Sequence, residues 1–116
     1  MQYLLLIYAP ESHWESMPEP ERQKIYQRYG ELIGDLKKSG KFLGGHELQP
    51  TSTATTVRVR DGKKAVTDGP FAETKEHLGG YFLVEAKDLD EALSMAARIP
   101  SATAGSIEVR PVKINS

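Results

Sequence analysis

An α+β protein, with one antiparallel sheet carrying two helices on a single face, is predicted from three features of this 116-residue chain. Strand-like and helix-like segments follow in the order β-α-β, a hairpin, then β-α-β. Two strand segments, Gln2 to Tyr8 and Tyr81 to Ala86, are apolar at odd and even positions alike, as central strands are. Two others flank Asp61-Gly62, a two-residue turn signal that specifies a hairpin.

The first strand, Gln2 to Tyr8, stops at Ala9-Pro10, and the polar, Pro-rich segment Glu11 to Glu19 reads as loop. Pro20 suits a first helical position, where an amide N–H has no intrahelical partner anyway. Ile25, Tyr29, Leu32, Ile33 and Leu36 make one apolar helical stripe, closed by Lys37, Lys38 and Gly40. Lys41 to Leu48 is a second strand, in which Gly44-Gly45 marks a bulge or a close backbone approach. Gln49 to Ala54 reads as loop. In Thr55 to Arg60, Val57 and Val59 point one way and Arg58 and Arg60 the other. Lys63 to Thr67 returns and runs into Asp68-Gly69-Pro70-Phe71. Gly79-Gly80 precedes the strand Tyr81 to Ala86. Asp88, with Glu91 three residues on, starts a second helix whose stripe is Leu89, Ala92, Leu93, Ala96 and Ala97. Pro100 closes it, and Ser106 to Val112 is the last strand. The order is that of a ferredoxin-like βαββαβ protomer with an extra β-hairpin, in one domain spanning residues 1–116.

Helices on one face leave the other face of the sheet uncovered. That face carries half of Tyr3 to Tyr8 and half of Tyr81 to Val84, each side chain worth roughly 1.5–3 kcal/mol when buried. A contiguous apolar patch is unusual on a small monomer. A homodimer, sheet against sheet, is therefore expected, with an interface of ~1,200–2,000 Å² or more.

Composition excludes several function classes. Apolar residues are 39% and charged residues 27%, as in a soluble globular domain. A net charge of −1 offers no attraction to nucleic acid or anionic membrane, and no apolar run nears the roughly 20 residues of a membrane helix. The N-terminus lacks the basic region of a secretory signal, and the absence of cysteine suits a cytoplasmic protein. It also excludes disulfides, thiol nucleophiles and cysteine zinc sites. The three histidines show no metal-binding spacing, and no cofactor is indicated: the P-loop, the dinucleotide glycine signature and the G-x-S-x-G elbow are all missing.

The string Asp68-Gly69-Pro70-Phe71, extended as DGPFAETKE, resembles the DGPF group of YCII-related proteins. So do Thr53 to Arg60 (TATTVRVR), Leu78 to Tyr81 (LGGY), Asp88 to Ala92 (DLDEA) and Glu108 to Val112 (EVRPV). The resemblance spans nearly the whole chain. It implies a dimeric α+β barrel built from ferredoxin-like protomers. It also implies a small bacterial protein of a group proposed as enzymes, without a settled reaction, and often mentioned beside extracytoplasmic-function sigma factors. Related YCII proteins are thought to use a histidine–aspartate pair in a cleft. Asp68 matches the motif aspartate. His46 stands where other members often have Glu or Ala, and His77 where many have Gln.

Each candidate has two readings. Asp68 is either turn chemistry, its carboxylate capping nearby amides, or a base at a strand end that orients a histidine. His46 is the best histidine partner, against a surface or dimer-rim role. His13, beside Trp14, reads as a lid residue and His77 as solvent-facing. Arg58 is either solvated or a basic wall for a carboxylate or phosphate of a ligand. Phe71 is a plug at the barrel edge or a ligand platform. Glu73 and Lys75 are solvated charges or reach over the mouth of the cleft. Tyr81 is a core residue or lines the pocket. Two functions follow. One is an enzyme in which Asp68 and His46 transfer protons in the isomerisation or hydrolysis of a small organic molecule. The other is a non-catalytic dimer that binds a ligand or a sigma-factor-linked regulator.

Overall fold

The computed structural model describes residues 1–114. The strands are β1 (Gln2–Ala9), β2 (Phe42–Glu47), β3 (Thr55–Arg60), β4 (Lys63–Asp68), β5 (His77–Glu85) and β6 (Ser106–Pro111). The helices are α1 (Glu11–Glu15), α2 (Glu19–Lys38) and α3 (Leu89–Ala97). Four strands form one sheet in the order β2-β5-β1-β6, and β3 and β4 form a separate hairpin. All pairings are antiparallel. This is the strand order of a ferredoxin-like unit, with β1 and β5 central as the sequence predicts.

The pleat divides the central strands between two environments. Tyr3, Leu5 and Ile7 of β1, with Phe82 and Val84 of β5, are buried. They pack against Leu32 and Leu36 of α2 and Ala92, Met95 and Ala96 of α3. Both long helices therefore lie on one face. Leu4, Leu6 and Tyr8, with Tyr81 and Leu83, alternate to the other face and are only half-buried. Arg98 after α3 bridges to Asp35 of α2 at 2.5 Å on the outer side of that helix pair.

Four expectations are corrected. The segment Glu11 to Glu19 is not all loop: its first five residues form α1, entered from Pro10 in an extended conformation. Gly79-Gly80 lies inside β5 rather than before it, because a register shift opposite Ile7/Tyr8 absorbs one extra residue. The buried stripe of α3 is Ala92, Met95 and Ala96, with Ile99 beyond its end, while Leu89 and Leu93 are about half exposed. The loop Gln49 to Ala54 contains a single 3₁₀ turn, Thr51–Thr53.

Other local readings hold. Asp61 (φ 52°) and Gly62 (φ 74°) both take positive φ, as a type I′ hairpin turn demands. Gly69 (φ 102°) supplies the left-handed step after β4. The Asp88 carboxylate accepts the Glu91 amide at 2.9 Å, and the Glu91 carboxylate accepts the Lys87 amide at 3.2 Å and pairs with Lys41 at 3.0 Å. Asp88→Ala is expected to lower stability by about 1 kcal/mol, measured by denaturant unfolding. An unchanged midpoint would mean the cap contributes nothing. Among the described residues, no helix is long and apolar enough to cross a membrane.

Candidate ligand cavity

A cavity of about 670 Å³ opens between the helix-facing side of the sheet, α1 and the first half of α2. Its floor is Ile7, Gly45, Gly80 and Phe82. Two glycines keep that floor low. A Cβ on Gly45 would lie 2.7 Å from the Tyr81 carbonyl oxygen and 2.8 Å from the Phe82 ring, and one on Gly80 would lie 2.8 Å from the His46 carbonyl oxygen. Any side chain at either position would force β2 and β5 apart.

The walls are aromatic. Trp14 of α1 meets Tyr26 of α2 edge to face, ring centroids 5.2 Å apart. One turn further along α2, Tyr29 packs edge to face on Phe82, and its hydroxyl lies 2.7 Å from that of Ser101. The polar groups come in pairs. Tyr26 donates its hydroxyl hydrogen to Glu47 of β2 at 2.9 Å. Glu11 accepts from the Thr51 amide at 3.1 Å and from the Thr51 hydroxyl, which ties α1 to the loop after β2. The same carboxylate lies 3.5 Å from Nδ1 of His77 in β5. That ring nitrogen is shielded from solvent and makes no hydrogen bond among the described residues.

Burial raises the Tyr29 hydroxyl above the ordinary tyrosine range. Tyr26 is raised as well, first by burial and then by its hydrogen bond to Glu47. A group whose folded-state pKa is raised contributes stability that is complete below its unfolded value and lost as pH rises through the folded value. Alkaline titration followed by tyrosinate absorbance should therefore show late-ionising tyrosines, with stability falling as they ionise. Loss of the late phase in Tyr29→Phe would assign it, and uniform titration of all five tyrosines would refute the assignment.

The sequence candidates fall in three places. His46 is among the residues that line the cavity, but its ring meets Tyr81 on the sheet face turned away from the helices, Nδ1 to hydroxyl 2.9 Å. Asp68, Arg58 and Phe71 lie on or beside the separate hairpin, where the Arg58 guanidinium sits 5.9 Å from the exposed Phe71 ring. Glu73 and Lys75 are in the exposed loop that follows. Asp68 and His46 are in different sheets, and among the described residues no hydrogen bond or ion pair joins Asp68 to a histidine. Asp68 and the hairpin residues do not line the cavity. His77, expected in solvent, is instead half-buried against Glu11, which corrects that reading. His13 is exposed on α1.

Sequence reasoning missed Glu11, Trp14, Tyr26 and Glu47. Two signals were present. Trp14 stands three residues after Glu11, a helical spacing, and strand alternation places Glu47 on the face opposite His46.

A ferredoxin-like α+β unit with an extra hairpin and an aromatic-walled cavity is the class these features define. The chain belongs to the YCII-related family, whose domain matches residues 1–114. It is similar to an uncharacterised protein of Rhizobium meliloti (strain 1021), 36% identical in an alignment that covers 98% of this chain and 94% of that one.

Proposed function

We propose that this protein binds a small organic molecule in the cavity beneath α1 and carries out acid–base chemistry on it, with Glu11 and His77 as the proton-handling pair. One observation supports this above the others: a largely apolar cavity of about 670 Å³ holds a carboxylate 3.5 Å from an imidazole. The volume falls within the ~300–1,000 Å³ of small-molecule sites. An imidazole and a carboxylate that open on one cavity offer a proton donor and a proton acceptor to the same bound molecule. Thr51 holds Glu11 in place from the other side. Isomerisation and hydrolysis are the reactions such a pair serves.

The test is a metabolite screen by thermal shift, followed by turnover assays of the hits. A ligand at a hundred times its Kd should stabilise the fold by about 2.7 kcal/mol. His77→Gln should keep binding and lose turnover by about 10²-fold or more. A hit turned over equally well by His77→Gln would remove the pair from catalysis.

The assembly we propose is a homodimer. Supporting it are the half-buried Leu4, Leu6, Tyr8 and Leu83 on the open face and the exposed Val57, Val59, Val66 and Phe71 on and beside the hairpin. The reading in which Asp68 and His46 act together depends on this pairing, since it needs a hairpin to fold across an open sheet face. Sedimentation at micromolar concentration should give a dimer, and a well-folded lone subunit would contradict it.

A further inference from the structure

The charge of the cavity is one-sided. Glu11, Glu15 and Glu47 line it together with His46 and His77, and among the described residues no Lys or Arg does. Arg22, one turn before Tyr26 on α2, is not among the lining residues and is turned to Glu19 at 2.9 Å. The two best-fixed carboxylates are held by neutral donors: Glu47 by the Tyr26 hydroxyl, Glu11 by the Thr51 amide and hydroxyl. Neutral donors orient a carboxylate without cancelling its charge. Among the described residues Glu11 has His77 3.5 Å away, and Glu47 is in no ion pair, its partner being the neutral Tyr26 hydroxyl.

An anionic ligand would lose its hydration beside like charges with no counter-ion to replace it. A cationic ligand would meet the solvent-exposed Glu47 carboxylate, which is in no ion pair among the described residues, and the rings of Trp14, Tyr26 and Tyr29. Arg58, the sequence candidate for binding a carboxylate or phosphate, stacks on Phe71 outside the cavity.

We infer that the cavity selects an organic cation, an amine protonated at neutral pH on an apolar or aromatic body, over an organic anion, with Glu47 as its ion-pair partner. The inference rests on the reading of this cavity as the ligand site. Trp14 is the only tryptophan in the chain and lines the cavity, so its fluorescence reports occupancy. Three probes of matched body separate charge from shape: phenethylamine, phenethyl alcohol and phenylacetate. Phenethylamine should bind with a Kd about tenfold below that of the alcohol, and phenylacetate should be weakest. Glu47→Gln keeps an acceptor for Tyr26; it should abolish the preference for the amine and leave the alcohol unchanged. Equal or tighter binding of the alcohol or phenylacetate would overturn the selectivity while leaving the cavity a ligand site. An amine preference that survives Glu47→Gln would overturn the role of Glu47. Failure of all three probes to perturb Trp14 at millimolar concentration would count against both the selectivity and the site.

Discussion

Leu5→Ala should lower the free energy of unfolding by about 2–5 kcal/mol, among the largest losses expected from a single truncation in this chain. Leu5 is 0% exposed at the middle of a central strand. It stands opposite Phe82 on one side and Val109 on the other, under the helix-facing core. Truncation removes the transfer free energy of the side chain and leaves a hole that a strand bonded on both edges cannot close by shifting. Against the roughly 5–15 kcal/mol of an ordinary domain, that is a large fraction. Leu6→Ala is the contrast. Its side chain is half-buried on the open face, so a monomer should lose only about 1 kcal/mol. In the proposed dimer the loss should be larger and should depend on protein concentration. Chemical denaturation at two protein concentrations measures both, and similar costs for the two variants at every concentration would contradict the assignment of the faces.

Gly30→Phe should abolish ligand binding while raising stability. Gly30 lines the cavity in the interior of α2, and a Cβ placed there meets no atom within 4 Å. Replacing glycine in a helix interior gains about 0.5 kcal/mol from propensity alone. The new ring would also bury itself in the space a ligand needs. Thermal unfolding should therefore move up, and the affinity for an aromatic probe should fall at least about tenfold. A stabilised variant that still binds as the wild type does would place the ligand elsewhere.

Much of the fold was legible because its signals are local. The apolar runs of β1 and β5 identified central strands, Asp61-Gly62 fixed the hairpin, and Asp88 began α3. The errors have physical causes. In α3 the stripe through Leu89 and Leu93 and the one through Met95 and Ala96 are both apolar, so period alone could not choose Met95 over Leu93. α1 is five residues long, too short for periodicity to register.

The site was less legible, and one residue explains why. Strict alternation from Phe82 would turn Gly80 and Leu78 to the helices and His77 to the opposite face. The irregularity at Gly79 reverses the phase, pairs His77 with Ala9 and brings it to Glu11. In the string LGGYFLVE the glycine pair is the one hint of a bulge, and it does not say that the phase reverses at Gly79. Asp68 drew notice because its motif is unusual, yet the motif sits on a hairpin whose valines are exposed and whose aspartate makes no side-chain hydrogen bond among the described residues.

The most direct measurement of the central claim is amide chemical-shift mapping with a bound aromatic probe such as phenethylamine. Shifts at Gly45, Gly80 and Ser101, around the floor and far wall of the cavity, are the predicted result. Shifts confined to residues 68–76, with those three amides unmoved, would contradict it.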